Sequence, residues 1–226
     1  MKAEWGADKW DRVIVFDLDD TLYLERDYVL SGLNAAGAWG DRLLGTRGLG
    51  AAMQARFRAG ARTRIFDESL TELGMAADPA LIARMLTVYR QHRPEISLAP
   101  DSEAFLSADH PRTGFAVITD GFLDAQKRKI RALDLYRRGI HFGVCTDRWG
   151  REGWKPNPIA FRHVQDRFNV PGKLCAYVAD NPTKDFHAPH VLGWDTVRIA
   201  RPEKIGHSTS AQLVDAARVI ENLGEF

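Results

Sequence analysis

Short apolar runs rich in β-branched residues alternate along the chain with longer stretches of helical spacing. The clearest runs are residues 13–16, 115–119, 176–179 and 196–199, and a weaker one is residues 140–144. A run that is apolar throughout is typical of a strand buried on both faces, and such strands belong to parallel sheets. Alternation of these strands with helices predicts an α/β fold, a doubly wound parallel sheet with helices on both faces.

The stretch from residue 25 to about residue 93 differs, because its apolar residues recur at intervals of three and four with no strand pattern. Asp78-Pro79 marks a helix start, and five glycines punctuate the stretch. These are Gly45, Gly48, Gly50, Gly60 and Gly74. About four helices are predicted here. We expect residues 24–96 to form a helical insertion, with residues 1–23 and 97–226 forming the core.

Further helices are predicted at three places in the core. One covers about residues 122–135, one begins at Pro158 where proline suits the first turn, and an amphipathic terminal helix runs from Ser210 to Leu223. The first of them carries a basic cluster that we interpret as a solvated face. Its members are Lys127, Arg128, Lys129 and Arg131.

Carboxylates follow the first strand directly, at Asp17 and Asp19. In open α/β sheets the ligand crevice lies beyond the carboxyl ends of the strands, so chemistry is expected there. Two acids with ordinary pKa values near 3.9 repel when they are aimed at one point, and they need a cation or a shared proton. A metal site or a catalytic dyad is therefore predicted. Taken alone, the pair could equally be a helix cap and a solvated loop.

Bulk composition narrows the class of partner. The 31 basic and 30 acidic residues give a net charge of +1, which offers no electrostatic case for nucleic acid or membranes. No apolar run reaches the ~18 residues of a membrane span, and the first ten residues lack the apolar segment of a signal peptide, so a cytoplasmic protein is expected. Cys145 and Cys175 are interpreted as small buried hydrophobes. The sequence leaves open whether the chain is a monomer or a dimer.

Other reactive groups follow the later strands in a fixed order. That order is Asp17 and Asp19, then Thr119, then Lys155, then Asp180 and Asp185. It resembles the four motifs of the haloacid dehalogenase superfamily, in its phosphohydrolase branch. The resemblance covers residues 13–23 and 115–200, and it implies a three-layer Rossmann-like core with a helical cap of the superfamily's first class inserted after the first motif.

The resemblance implies a role for each motif acid. Asp17 would be the nucleophile and a ligand of Mg²⁺, and Asp180 would be the other carboxylate ligand. Asp19 would add its backbone carbonyl to the metal, while its side chain protonates the leaving alcohol and later activates water. Mg²⁺ prefers oxygen ligands and commonly takes only one or two carboxylates, which suits this set.

The remaining motif residues would handle the phosphate. The resemblance implies that the Thr119 hydroxyl and the backbone N–H groups of Asp120 and Gly121 hold it, and that Lys155 clamps nucleophile and phosphate together. Asp185 would orient Lys155 or a metal-bound water from behind. Relatives often carry asparagine where Asp120 stands, and an added carboxylate would repel a phosphate. We therefore expect the backbone of Asp120 to be used and its side chain to point away.

The superfamily contains several reactions, so the fold does not name this one. Asp19 argues against a dehalogenase, which needs no proton for its leaving group. Residues 24–96 contain no lysine, which argues against a phosphonatase, and Thr21 stands where related mutases usually have glycine. The best remaining prediction is hydrolysis of a small phosphorylated metabolite such as a sugar phosphate, a nucleotide or phosphoglycolate. A phosphosugar mutase, a dehalogenase and a non-catalytic module that binds a biosynthetic partner remain alternatives.

Substrate selectivity would depend on the helical insertion, which contains an arginine-rich stretch. Arginine binds carboxylates and phosphates in a forked geometry, so Arg62 and Arg64 are candidate substrate contacts. Arg56 and Arg58 are more simply explained as a solvated helix face.

Overall fold

The computed structural model describes residues 9–202 and 214–226. The chain divides into two compact units, and the division falls after Glu25 and again before Ser97. The helical unit is Arg26–Ile96, and the described residues on either side of it form a second unit, called the catalytic unit after its predicted role. That the helical unit acts as a cap stays a prediction.

The catalytic unit is built on one six-stranded parallel sheet, in the order β3-β2-β1-β4-β5-β6. Its strands are β1 (Arg12–Phe16), β2 (Thr113–Thr119), β3 (Phe142–Cys145), β4 (Cys175–Ala179), β5 (Asp195–Ile199) and β6 (Arg218–Ile220). The register places Phe16 of β1 opposite Val117 of β2 and opposite Val178 of β4. The carboxyl ends of the three central strands therefore meet at one edge of the sheet. The predicted doubly wound parallel fold is confirmed.

Four helices make up the helical unit, as the spacing predicts. They are α1 (Glu25–Leu44, whose first residue belongs to the catalytic unit), α2 (Leu49–Arg58), α3 (Ile65–Glu72) and α4 (Pro79–Gln91). The Asp78 side chain accepts a hydrogen bond from the N–H of Leu81, and Pro79 occupies the first turn, which explains where α4 begins. Helices α1 and α2 touch at glycine, since a Cβ on Gly37 would lie 2.2 Å from Cα of Gly50.

Helices cover both faces of the sheet in the catalytic unit. They are α5 (Pro100–Ser107), α6 (Leu123–Ala132), α7 (Ile159–Phe168) and α8 (His187–Val191). Val13 and Val15 face the cluster that includes Phe161 of α7. Phe16 points to the opposite face, where its ring lies 6.0 Å from that of Phe105 in α5. Successive strand residues face opposite sides, so each strand contributes to both halves of the core.

The predicted terminal helix from Ser210 to Leu223 is wrong within the part that the structure describes, and residues 210–213 lie outside it. Arg218–Ile220 forms β6, which pairs with β5. The adjacent β-branched pair Val219 and Ile220 explains the difference, because Ile220 is buried and Val219 is exposed, as in an edge strand. A single 3₁₀ turn follows at Leu223–Glu225.

Two further expectations concern the whole described chain. Cys145 and Cys175 are buried and unpaired there, and burial raises the pKa of the first thiol to about 11 and of the second to about 12. Both are thus buried small residues, as predicted. None of the helices in residues 9–202 and 214–226 has the combination of length and apolar character that a membrane span requires.

Candidate active site

Lys155 lies at the centre of a buried ion-pair cluster beyond the end of β1. Its ammonium Nζ is 2.6 Å from Oδ1 of Asp17 and 2.7 Å from Oδ1 of Asp185, and it donates to the hydroxyl of Tyr177 at 3.1 Å. Burial disfavours the charge of this lysine, but the two carboxylates more than offset that effect and raise the pKa of Lys155 well above its ordinary value. The sequence therefore folds the predicted nucleophile, lysine and supporting acid into direct contact.

Asp180, which follows β4 directly, completes an acidic cluster with Asp17 and Asp185. One carboxylate oxygen from each lies within 4.8 Å of the others, and all three residues are buried. Burial raises the pKa of Asp17 to about 6 against the opposing effect of Lys155, and the neighbouring Asp185 adds to the rise. The cluster offers three carboxylate oxygens, and Lys155 balances only part of their negative charge. Hard oxygen donors of this kind fit Mg²⁺.

Asp185 is bound on both of its oxygens. Oδ1 contacts Lys155, and Oδ2 accepts a hydrogen bond from the backbone N–H of Asn181 at 3.0 Å. The ion pair and the hydrogen bond orient Asp185 toward the lysine, and its supporting role stays a prediction. Asp185 also lies within the acidic cluster.

The side chain of Asp120 is directed toward the segment that follows β3. Its Oδ1 accepts hydrogen bonds from the Thr146 hydroxyl at 2.7 Å and from the backbone N–H of Lys155 at 3.1 Å. Burial raises the pKa of Asp120, but the charges of Lys155 and Lys184 and these bonds outweigh it, so the pKa lies below its ordinary value. Its carboxylate thus fixes the backbone of the segment that carries Lys155.

Thr119 and Gly121 flank this acid at the end of β2. Thr119 is buried, and its hydroxyl lies 3.4 Å from the carbonyl oxygen of Asp120. Gly121 has a φ of +124°, a backbone conformation that side chains rarely adopt. A Cβ at Gly121 would also lie only 2.4 Å from Nε2 of Gln126, so glycine is required there.

Asp19 is held on both carboxylate oxygens. Oδ1 accepts hydrogen bonds from Nζ of Lys129 at 2.6 Å and from the hydroxyl of Tyr23, and Oδ2 accepts one from Nε2 of Gln126 at 3.2 Å. Burial raises the pKa of Asp19, but Lys129 and these hydrogen bonds outweigh burial and leave the pKa below its ordinary value. The acid two positions after Asp17 is therefore tied to helix α6.

The predicted solvated face of α6 is wrong for Lys129, whose side chain is only 4% exposed, whereas Lys127 is exposed. A signal in the sequence could have found it. Lys129 follows Gln126 by three positions and precedes Ile130 by one and Leu133 by four, and Gln126, Ile130 and Leu133 share one face of the helix. A lysine at the edge of a buried helix face needs an anionic partner, and Asp19 supplies it.

Sequence reasoning also missed Lys184 and Arg201. Nζ of Lys184 lies 3.4 Å from Oδ2 of Asp120. The buried guanidinium of Arg201 donates twice to the backbone carbonyl of Thr21, at 2.8 and 2.6 Å, and it pairs with Asp101. Arg201 thereby fixes the turn that follows Asp17 and Asp19, although it lies far away in the sequence.

Three of the four arginines in the arginine-rich stretch have partners within the helical unit. Arg56 pairs with Glu68 at 2.7 Å, and Arg58 donates to the side chain of Gln54. Arg62 donates to the carbonyl oxygens of Phe57 and Ala61, both at 2.9 Å. Arg64, just before α3, is exposed and has a positive φ of 56°. A substrate contact by Arg62 or Arg64 stays a prediction.

The class of protein follows from this fold and site together with a family match. A model of haloacid dehalogenase-like hydrolases matches residues 12–192, which is most of the chain. The chain belongs to the haloacid dehalogenase-like hydrolases, and the resemblance inferred from its motifs is confirmed.

More particular relatives differ in the reaction that their names state. The chain is 30% identical over 162 residues to a phosphoserine phosphatase from Thermus thermophilus, a match covering 70% of this chain and 63% of the relative, which is less than two thirds of that relative's length. A 2-haloacid dehalogenase from Pseudomonas syringae pv. Tomato DC3000 has a TM-score of 0.60 at 21% identity, with 95% of each chain covered. The putative hydrolase YfnB from Bacillus subtilis, bound to magnesium, has a TM-score of 0.63 at 18% identity, with 96% of each covered. At these identities the two structures show the shared fold alone.

Proposed function

We propose that this protein is a Mg²⁺-dependent phosphatase that hydrolyses the monoester of a small phosphorylated metabolite through Asp17. The observation that carries the proposal is the second carboxylate, Asp19, which is held in place at the same strand end as Asp17. A leaving alkoxide needs a proton, whereas a halide leaves without one. A positioned proton carrier beside the nucleophile therefore favours ester hydrolysis over dehalogenation.

Asp17 would act as the nucleophile. Its carboxylate would attack phosphorus as the bond from phosphorus to the ester oxygen breaks. Asp19, whose pKa is low in the free protein, would take up a proton from solvent when the negative charge of the bound phosphate raises that pKa, and would pass this proton to the ester oxygen. Water then attacks phosphorus, Asp19 takes the proton of that water, and the bond between Asp17 and phosphorus breaks. Lys155, 2.6 Å from Asp17, keeps this carboxylate in place and offsets charge on the transferring group.

Mg²⁺ would be held by the carboxylates of Asp17 and Asp180 and by the backbone carbonyl of Asp19. When bound, it supplies positive charge that offsets the charge of the phosphate and of the clustered acids. The phosphate itself would be held by the Thr119 hydroxyl and the N–H groups of Asp120 and Gly121. The bonds of the Asp120 carboxylate to the Thr146 hydroxyl and to the N–H of Lys155 support that role, because they occupy the side chain and leave the backbone of Asp120 for the phosphate.

The proposed substrate class follows from the chemistry of ester hydrolysis and not from similarity to a relative. A sugar phosphate, a nucleotide and phosphoglycolate all fit the proposed reaction, and the relative named as a phosphoserine phosphatase adds phosphoserine to the esters worth testing. A phosphosugar mutase and a partner-binding module remain alternatives that the same assay separates.

The test measures phosphate release from a panel of these esters, with Mg²⁺ and with a chelator. Asp17→Asn keeps the shape of the side chain but removes the nucleophile, so we expect turnover to fall by about 10⁴-fold or more. Asp109→Asn, at an exposed position, is the matched control and should leave turnover unchanged. Wild-type release should also disappear when the chelator removes the metal.

Other results would replace the proposal. Halide release from a 2-haloacid, together with no phosphate release, would favour a dehalogenase. An isomeric phosphate product without free phosphate would favour a mutase. If the wild type released neither phosphate nor halide above the level of Asp17→Asn, the hydrolase proposal would be wrong, and binding to a protein partner would be examined instead.

A further inference from the structure

We propose that Lys129 is a positioning residue, which holds the carboxylate of Asp19 in the orientation needed for proton transfer to the leaving oxygen. This inference rests on the proposed phosphatase function. It concerns a lysine outside the four motifs, on helix α6.

Burial of the Lys129 side chain is the first argument. The side chain is 4% exposed, although the adjacent helix positions 127 and 128 remain at least partly open to solvent. Removing an ammonium group from water is unfavourable unless an anion compensates for it. Asp19 provides that compensation at 2.6 Å. The ion pair is thus built into the fold rather than being a chance surface contact.

The geometry around Asp19 is the second argument. Lys129 and the hydroxyl of Tyr23 bind one carboxylate oxygen, and the side-chain amide of Gln126 binds the other. A carboxylate bound on only one oxygen can still rotate, whereas bonds on both oxygens define its plane. Lys129 and Gln126 both come from α6, so this helix sets the orientation of the acid.

Gln126 connects the same helix to the predicted phosphate-binding turn. Its Nε2 also donates to the carbonyl oxygen of Asp120 at 2.8 Å, and Gly121 leaves the space that the amide occupies. Helix α6 therefore holds both the acid and the turn that would bind the phosphate. Lys129 itself would touch neither substrate nor metal, and would act only through Asp19.

The dependence on leaving group tests this role. A carboxyl group that is poorly oriented slows the reaction most when the leaving oxygen is strongly basic, since p-nitrophenolate leaves readily without a proton. In Lys129→Met we expect kcat/KM for an alkyl phosphate to fall by about 100-fold, the size of loss that follows a misplacement of about 1 Å. The ratio kcat/KM is compared because it covers only the steps up to departure of the leaving alcohol, whereas kcat also includes the later attack of water. The fall in kcat/KM should be intermediate for phenyl phosphate and smallest for p-nitrophenyl phosphate.

Lys127→Met removes an exposed lysine from the same helix and is the matched control. It should leave all three rates unchanged. A double variant supplies a second criterion, because residues that act through one another have non-additive effects. In an Asp19→Asn background, Lys129→Met should cause no further loss for any ester.

Several results would overturn the inference. An equal fall in kcat/KM for all three esters, an unchanged kcat/KM for the alkyl ester, or a further loss in the Asp19→Asn background would each exclude the proposed role through Asp19. If Lys129→Met does not fold, Lys129→Arg keeps a cation while moving its donors, and the same graded pattern with a smaller fall is expected. A wild type that hydrolyses no ester would remove the phosphatase proposal itself, and this inference with it.

Discussion

Two lysine–aspartate pairs stand at the same edge of the sheet, and the pKa values of the two carboxylates are shifted in opposite directions although each lysine lowers the pKa of its own partner. Lys155 to Asp17 and Lys129 to Asp19 both measure 2.6 Å. The Asp17 side chain is 4% exposed and the Asp19 side chain is 20% exposed. Burial raises the pKa of Asp17 to about 6, whereas the pKa of Asp19 stays below its ordinary value because Lys129 and further hydrogen bonds outweigh burial.

The two pKa shifts differ because different groups surround the two acids. Lys155 is shared between Asp17 and Asp185, so one positive charge serves two acids, and the second acid raises the pKa of the first. Asp19 has Lys129 on one oxygen and the Gln126 amide on the other. An ion pair of given length therefore does not by itself determine the pKa of its acid. At Asp17 a bound metal ion would add positive charge that favours the ionised carboxylate, whereas at Asp19 the partners Lys129, Tyr23 and Gln126 already favour it.

The largest expected effect comes from removing Lys155. We expect Lys155→Met to lower kcat by about 10³-fold, the loss typical of removing one group that stabilises transition-state charge. The fall should be the same for alkyl, phenyl and p-nitrophenyl esters, because Lys155 would act on the phosphoryl group and not on the leaving oxygen. Rates of this variant and of Lys129→Met are measured with the same three esters, so that the uniform and the graded response can be compared. Lys173→Met, at an exposed position, is the control. A graded series for Lys155→Met would mean that the two lysines share one role.

The next largest effect is expected from substituting Asp185. This substitution should change the Mg²⁺ requirement, whereas substituting Lys129 should not, so metal dependence distinguishes the two pairs. Asp185→Asn removes one acid from the cluster and loosens Lys155, so we expect the Mg²⁺ concentration for half-maximal activity to rise by about 10–100-fold. Lys129→Met should leave that concentration unchanged, since the Lys129 side chain is bound to Asp19 and not to the acidic cluster. Titration of activity with Mg²⁺ measures both. An unchanged Mg²⁺ requirement in Asp185→Asn would limit this acid to supporting Lys155.

The two pairs also show what the sequence could predict. Asp17 and Lys155 were predicted to act together because apolar runs located the strands and the resemblance located the motifs. Lys129 was misassigned because three basic neighbours suggested that its helix face was solvated. Its position beside Gln126, Ile130 and Leu133 could have indicated burial, but no local pattern identifies a partner 110 positions away in the sequence. Strand β6 was missed for a similar reason, since three residues with a single buried side chain are too few to show strand alternation. The order of strands and helices could be predicted because most of these elements have a local sequence pattern. The partners of buried charges could not, because they depend on contacts between residues far apart in the sequence.

Asp120 offers a finer test of the Asp17 pair, because its carboxylate bonds the backbone N–H of Lys155 and not the side chain of Lys155. Its Oδ1 accepts the N–H of Lys155 and the hydroxyl of Thr146, while Oδ2 lies 3.4 Å from the partly exposed Lys184. Asparagine has an oxygen that can keep the first two bonds and would lose only the pairing with Lys184. An ion pair that includes a partly exposed lysine contributes little.

We therefore expect Asp120→Asn to lower kcat by less than about 5-fold, in line with the loss of one weak ion pair. Asp120→Leu has a similar volume but no acceptor, so the N–H of Lys155 would be left buried and unbonded, and kcat should fall by about 10-fold or more. Both falls should be uniform across the three esters, since the affected lysine belongs to the Asp17 pair. If Asp120→Asn were as slow as Asp120→Leu, the negative charge of Asp120 and not its hydrogen bonds would fix the lysine segment. A graded response across the esters would instead connect Asp120, through its carbonyl bond to Gln126, to the orientation of Asp19.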